Sequence, residues 1–143
     1  ESIDRRMPRM DSEYSMGYQL TMELLREQKQ FTAIAGQNDM MAIGAIDALE
    51  KSRIRVPKDV SVIGCDDIFY SSIRRLSLTT IDHFVALKGR DACDIIIRKI
   101  TTNDQFYTGL QPTSLYNIEY TPKLIARKTT TYAKTSGISK PVK

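Results

Sequence analysis

The sequence predicts an α/β fold, a three-layer sandwich built around a mainly parallel sheet of about four or five strands. Two observations support this class. Short apolar runs alternate along the chain with longer segments of helical periodicity, which is the pattern of strands joined by crossover helices. The run at 60–65, VSVIGC, is rich in β-branched residues, as expected of a strand that is buried on both faces of a parallel sheet.

Apolar spacing defines the predicted helices. Tyr18, Met22 and Leu25 fall on one side of the first helix. In the last helix, the small residues Gly89 and Ala92 are expected to let one face lie close against a sheet. The predicted elements in chain order are a helix at 15–29, a strand at 31–36, a helix at 40–52 capped by Asp39, a strand at 60–65, a short helix at 68–74, a strand at 78–81, a helix at 84–100, and strands at 113–118 and 124–128.

Hydropathy predicts no membrane-spanning segment, and the excess of basic residues lies in one part of the chain. No apolar run approaches the roughly 18 residues of a membrane helix, and the segment at 1–10 lacks the apolar core of a signal peptide. Six of the 21 basic residues and two of the 17 acidic residues follow residue 100, so the net charge of +4 lies in the C-terminal part. We expect a mobile basic tail at 129–143 rather than a nucleic-acid surface, because this segment has no periodicity.

The cysteine and histidine content predicts no metal and no cofactor. Cys65 and Cys93 have no CxxC neighbour, and the single histidine, His83, cannot complete a zinc site with them. Reduced thiols in a cytoplasmic protein are expected. The sequence has no serine elbow motif for His83 to act with, no GxGxxG and no P-loop. It therefore predicts neither an enzyme nor a nucleotide-phosphate site.

Polar pairs follow two of the predicted strands. Asn38 and Asp39 come after the first strand, and Asp66 and Asp67 come directly after the second. Ligands bind outside the carboxyl ends of the strands in such sheets, and amide and carboxylate groups suit sugar hydroxyls. Two other interpretations remain open: helix capping or turn formation by these residues, and a metal or phosphoacceptor site, for which no converging partners can be assigned.

Three motifs, taken in order, resemble one family. They are GQNDMMAIGAIDAL at 36–49, VPKDVSVIGCDD at 56–67 and LTTIDHF at 78–84, and the likeness extends from Asp11 to Thr130. Together they resemble the effector-binding domain of LacI/GalR-type bacterial transcription regulators. The resemblance implies a periplasmic-binding-protein-like fold of two α/β subdomains with an effector in the cleft between them. It also implies a helix-turn-helix headpiece and a homodimer in which the state of the cleft controls operator affinity.

The resemblance also assigns roles to residues of this chain. Asn38 and Asp66 match positions that contact effector hydroxyls, and His83 matches a polar residue at the pocket edge. Ser12 stands where relatives often have an aromatic ring, so nearby Tyr14 becomes a candidate to replace it. The implied effector is a sugar, a sugar derivative or a sugar phosphate. The residues that match the dimer interface of the family are Met41, Ala45, Ile46, Leu49, Ile68 and Ser72.

The resemblance makes the chain a C-terminal portion of a repressor. The chain contains no headpiece, so the implied binding to operator DNA requires a segment outside it. By the same mapping, 1–128 is a partial effector-binding and dimerisation domain, within which 84–118 belongs to an otherwise missing N-terminal subdomain. We expect the apolar face of the helix at 84–100 to pack on the chain's own sheet or under a second copy. The alternative function is a ribose-type solute-binding protein of the periplasm or cell surface, which the paired aspartates and the VPKDVSVIG motif disfavour.

Overall fold

A computed structural model describes residues 12–101 and 118–132 of the 143-residue chain. The chain divides into two compact units. The sheet unit comprises 1–82 and 123–143, and the helix unit comprises 83–122. Most of the predicted strand at 113–118 lies outside the described residues.

The sheet unit contains four strands in the spatial order β1-β2-β3-β4. The β1–β2 and β2–β3 pairs are parallel, whereas β4 pairs with β3 in the antiparallel direction. The strands are β1 (Ala33–Ala35), β2 (Ser61–Cys65), β3 (Thr79–Asp82) and β4 (Lys123–Ile125). The predicted α/β class with a mainly parallel sheet is therefore confirmed, and the three parallel strands direct their carboxyl ends to the same edge.

Two α-helices of the sheet unit cross at close range. Helix α1 (Ser12–Arg26) starts and ends three residues earlier than predicted, and α2 (Asp39–Lys51) matches its predicted range closely. A Cβ added at Gly17 would lie 2.1 Å from the Met41 carbonyl oxygen, and one at Gly44 would lie 2.1 Å from the Tyr14 carbonyl oxygen. The two backbones can approach this closely only because both positions lack a side chain.

The hydrophobic core lies between these helices and one face of the sheet. Strand β2 alternates, with Val62 and Gly64 buried and Ser61, Ile63 and Cys65 only half-buried. The prediction that this strand is buried on both faces is therefore wrong for one face, because the apolar cluster packs on the Val62 side. The fully or nearly fully buried members of the cluster are Leu25, Ala42, Ile46, Leu49, Ile54, Val60, Val62 and Leu78.

The segment after β4 remains attached to the sheet beyond the predicted start of the tail. Thr129 is 4% exposed. Its hydroxyl donates to the Val62 carbonyl at 2.7 Å and accepts from the Thr79 backbone N–H at 2.9 Å. The predicted boundary at 129 is thus too early, since Thr129 satisfies backbone groups of two strands. The remainder of the predicted tail, 133–143, lies outside the described residues.

The helix unit contains α3 (Val85–Thr101), and the Tyr120 hydroxyl donates to Asp91 on this helix at 2.6 Å. Val85, Ile96 and Ile100 are 54%, 56% and 74% exposed, and packing of this face on the chain's own sheet stays a prediction. A Cβ added at Gly89 would meet nothing within 4 Å. Coverage of this face by a second copy stays a prediction. Among the described helices, none has the length and hydropathy needed to cross a membrane.

Candidate functional site

The carboxyl ends of β1 and β2 bring the two predicted polar positions to one edge of the sheet. Ala35 is in register with Ile63, and Cys65 is in register with Ile81. Asn38 follows the end of β1 by three residues, and Asp66 follows β2 directly. This edge is where parallel α/β sheets bind their ligands.

Asn38 caps helix α2. Its backbone is extended, with φ −142° and ψ 176°, and its side-chain oxygen accepts from the Met41 N–H at 2.9 Å. Asn38, and not Asp39 as predicted, is therefore the N-cap. The cap occupies the amide oxygen, whereas the NH₂ group of the same side chain is not used by it. A Cβ at Gly36 would lie 2.7 Å from the Ala42 nitrogen, so the turn from β1 into α2 has no room for a side chain there.

Asp39, the first residue of α2, is fully buried. Its Oδ1 accepts from the Thr80 hydroxyl at 2.5 Å. Its Oδ2 accepts from the Ser71 hydroxyl at 2.5 Å and from the Ile68 N–H at 2.9 Å. Three donors satisfy the carboxylate, as a buried charged group requires. The contacts join α2 to β3 and to the short 3-10 helix at Phe69–Ser72.

The loop after β2 has an unusual backbone. Asp66 and Asp67 both have positive φ, at 116° and 50°. The Asp66 N–H donates to the Ile81 carbonyl at 2.9 Å, and the Asp67 N–H donates to the Thr80 hydroxyl at 3.4 Å. Non-glycine residues with positive φ are uncommon and persist when surrounding contacts hold them, often near functional sites.

Arg127 forms an ion pair with Asp67. Its Nη2 lies 2.6 Å from Asp67 Oδ1, and its Nη1 donates to the Leu78 carbonyl at 2.9 Å. The Arg127 and Asp67 side chains are 19% and 25% exposed. The Asp67 carboxylate therefore ties the loop to the segment after β4. This contact assigns a structural role to Asp67, and the choice of Asp66 as the candidate for ligand contact stays a prediction.

Tyr14 does not project toward this edge. Its hydroxyl donates to Asp47 Oδ2 at 2.7 Å. Asp47 lies eight residues beyond Asp39 at the start of α2, which corresponds to roughly 12 Å along the helix axis. Burial, the hydrogen bond and the charge of Asp47, in that order, raise the pKa of Tyr14 to about 12. Ser12 is the first residue of α1, and its side chain lies outside what the structure describes.

His83 follows β3 directly in the chain and belongs to the helix unit. Its Nδ1 lies 3.2 Å from the Lys88 Nζ on α3. The predicted role of His83 at the pocket edge stays a prediction.

Half of the predicted dimer-interface residues are buried in the sheet unit itself. Ala45, Ile46 and Leu49 are 2%, 7% and 0% exposed, because the face of α2 that carries them packs on α1 and the core. Their predicted place in a dimer interface stays a prediction. Met41 and Ile68 are half-buried, and Ser72 is exposed. The large apolar side chains exposed beside Ser72 are Phe69 (79%), Tyr70 (54%) and Ile73 (42%).

Sequence patterns alone did not reveal three residues that organise this edge. In the sequence, Thr80 lies within a predicted strand, Arg127 is one of several basic residues near the C-terminus, and Asp39 fits a helix cap. For Asp39, the motif ND at a strand end was a usable signal, because only one of two consecutive cap-type residues can be the N-cap. Nothing in the sequence pattern pairs Arg127 with Asp67.

Comparison with known proteins identifies the family. A family model described as periplasmic binding protein-like domain matches residues 2–130, and the chain belongs to this family. The HTH-type transcriptional repressor PurR of Haemophilus influenzae is 43% identical over 112 residues, which cover 78% of this chain and 32% of that protein. The chain thus spans about a third of the length of this relative.

Solved structures of LacI-type regulators share the fold. The Lac repressor bound to ONPG in its repressed state is similar with a TM-score of 0.65 and 34% identity, covering 82% of this chain and 33% of that one. A LacI-family regulator from Enterococcus faecium with bound ribose gives a TM-score of 0.68 at 25% identity, covering 85% and 41%. The resemblance to LacI/GalR-type regulators that the motifs predict is confirmed.

Proposed function

We propose that this chain is the effector-sensing and dimerising portion of a LacI-type transcription repressor that responds to a sugar or sugar derivative. The observation that carries the proposal is the pair Asn38 and Asp66, which follow adjacent parallel strands at one edge of the sheet. The family of the chain and the repressor relatives support the same function. They also favour the regulator over the ribose-type solute-binding protein, since the relatives with these similarities are regulators.

The proposed chemistry is hydrogen bonding to vicinal hydroxyls. The Asn38 NH₂ group donates to a sugar oxygen while its amide oxygen holds the helix cap. The Asp66 carboxylate accepts from hydroxyl groups. A neighbour with bound ribose supports an effector of the sugar class. Ser12, Tyr14 and His83 remain weaker candidates for effector contact, and the Tyr14 hydroxyl is already bonded to Asp47.

The proposal extends to partners of the whole protein. We place the homodimer contact on the exposed apolar patch of Phe69, Tyr70 and Ile73, because three of the four predicted contacts on α2 are buried. Operator DNA is bound through a headpiece outside this chain, and the protein acts in the cytoplasm as a non-enzymatic regulator. Control of transcription follows when effector binding changes the affinity of the headpiece for its operator.

The test is a thermal-shift screen of the full-length gene product against pentoses, hexoses and their phosphates, with D-ribose as the first probe. A compound that binds only the folded state raises the melting temperature progressively as its concentration exceeds the dissociation constant. We expect a dose-dependent rise for at least one sugar-class compound. If the melting temperature stays constant across the whole panel, the effector assignment is wrong.

A further inference from the structure

We propose that Asp39 is a positioning residue that sets the placement of Asp66 relative to Asn38, and therefore the affinity for the effector. The inference rests on the proposed function, since it concerns the same edge of the sheet. Asp39 itself is fully buried, so it acts through its neighbours and does not contact the effector.

The Asp39 carboxylate is hydrogen-bonded to groups on both sides of the loop that carries Asp66. It accepts from Ile68 N–H at 2.9 Å, two residues after Asp66, and from Ser71 Oγ at 2.5 Å in the 3-10 helix. It also accepts from Thr80 Oγ1 at 2.5 Å, and this oxygen in turn accepts from the Asp67 N–H at 3.4 Å. The loop that carries Asp66 is therefore held by Asp39 at a point beyond it and by Thr80 directly next to it.

Asp39 is also joined to Asn38 directly through the peptide backbone. Asn38 is the residue immediately before Asp39, so any displacement of the Asp39 backbone moves the cap residue with it. Both candidate effector contacts are thus tied to one buried carboxylate, one through the chain and the other through hydrogen bonds. A ligand site needs its contacts held to within about 0.5 Å, and Asp39 is the residue joined to both candidate contacts.

A third observation comes from Gly64 in β2. A Cβ added at this position would lie 2.1 Å from Asp39 Oδ1 and 3.1 Å from its Cα. The absence of a side chain at Gly64 is therefore required for Asp39 to occupy its place. This contact provides a way to displace the carboxylate without changing Asp39 itself.

The experiment compares five variants of the full-length gene product, one of them a control, with the wild-type protein. Asp39→Asn keeps the side-chain size but replaces one acceptor oxygen with a donor, and Gly64→Ala pushes the unaltered carboxylate aside. Thr80→Val removes the hydroxyl, whereas Thr80→Ser retains it and should restore wild-type behaviour. The control for general loss of stability is Val60→Ala, because Val60 is fully buried in the core and has no hydrogen bond to Asp39.

Two readouts are made on each variant at temperatures well below its melting point. The first is the amide hydrogen exchange of Asp67 and Ile68 without ligand, which we expect to accelerate in Asp39→Asn, Gly64→Ala and Thr80→Val beyond the change in Val60→Ala. The second is the dissociation constant for D-ribose, or for the panel sugar that stabilises the wild-type protein most. We expect it to rise by about tenfold, the loss that corresponds to one misplaced hydrogen bond.

The outcomes distinguish this inference from the proposed function. If the wild-type protein binds no sugar of the panel, the proposed function is wrong, and this inference about its effector affinity is overturned with it. If the wild-type protein binds a sugar and the three variants match Val60→Ala in exchange and affinity, Asp39 has only a structural role and this inference alone is overturned. Faster exchange with unchanged affinity also overturns it.

Discussion

The contact between Arg127 and Asp67 should contribute measurably to stability, although these residues are 60 positions apart in the chain. Hydrogen bonds to charged groups contribute about 1.5–3 kcal/mol, and exposed ion pairs about 0–1 kcal/mol. The two side chains are 19% and 25% exposed and their atoms lie 2.6 Å apart. We therefore expect a coupling energy near the lower limit for charged hydrogen bonds, at about 1.5 kcal/mol.

The single substitution Arg127→Met should cost more than this coupling energy. It also removes the donor to the Leu78 carbonyl, which belongs to a fully buried residue. An unsatisfied buried acceptor costs about 1–3 kcal/mol, so the total loss should be about 3 kcal/mol. Asp67→Asn should cost less, because the amide keeps an acceptor oxygen for Arg127.

The assay is a double-mutant cycle by urea denaturation at neutral pH, with Arg127→Met, Asp67→Asn and the double variant. The free energies of unfolding should be non-additive by about 0.5–1.5 kcal/mol in the stabilising sense, because the amide introduced by Asp67→Asn keeps part of the hydrogen bond to Arg127. Raising the salt concentration should reduce the coupling only modestly, because the pair is partly shielded from solvent. Strict additivity of the two substitutions would refute the assignment of Asp67 to a structural role.

Three further predictions concern helix packing, titration and assembly. Gly44→Ala should destabilise the protein by about 1–3 kcal/mol, because its Cβ would lie 2.1 Å from the Tyr14 carbonyl oxygen. Gly89→Ala, with nothing within 4 Å of its Cβ, should instead stabilise α3 by about 0.5–1 kcal/mol in thermal or urea unfolding. The Tyr14 hydroxyl should ionise with a pKa of about 12, measured by ultraviolet absorbance of tyrosinate, and Asp47→Asn should lower this pKa. The pKa of Tyr14 is higher in the folded protein than its unfolded value of about 10. The stabilisation by the neutral hydroxyl is therefore fully present below about pH 10, and it is lost as the pH rises through the pKa of the folded protein. Phe69→Ser should weaken homodimerisation of the full-length gene product by about 30-fold in sedimentation experiments, as for an interface hot spot.

Controls and contradicting outcomes differ among these three. A Gly44→Ala variant that is as stable as the wild-type protein would contradict the close crossing of α1 and α2, and Gly89→Ala is the matched control. In the titration, Tyr14→Phe identifies the transition, and a Tyr14 pKa that Asp47→Asn leaves unchanged would contradict the hydrogen bond. For assembly, Leu20→Ser is the matched control, since Leu20 is an exposed apolar residue of α1 at 47% exposure. Equal association of both variants would place the dimer interface elsewhere.

The sequence predicted local features well and long-range partners poorly. Periodicity identified α1, α2, α3 and the parallel strands, because each pattern reflects which side of an element is apolar. The ends of two strands marked Asn38 and Asp66 as candidate contacts, because polar residues there are brought to one edge by the fold. The structural role of Asp67 depends on its contact with Arg127, which is 60 residues away in the chain. Arg127 comes near Asp67 only because β4 pairs with β3, and the sequence does not show that pairing.

Burial was the feature that periodicity predicted least reliably. The apolar face of α3 indicated that something covers it, but a helical pattern does not specify what does. On α2, the residues Ile46 and Leu49 fit either a core or a dimer interface, because both environments select apolar side chains. The sequence also does not show which glycines lie close to another part of the backbone. The close approaches occur at Gly17, Gly44 and Gly64, whereas Gly89 has open space around it.

The most direct test of the central claim is isothermal titration of the full-length gene product with the sugar that stabilises it most in the thermal-shift screen. Asn38→Ala and Asp66→Ala should each weaken binding by about 10–100-fold, the range for loss of one hydrogen bond to a polar or charged group. Gln37→Ala, an exposed neighbour of Asn38, should bind as the wild-type protein does. Wild-type affinity in both Asn38→Ala and Asp66→Ala would contradict the assignment of this sheet edge as the effector site.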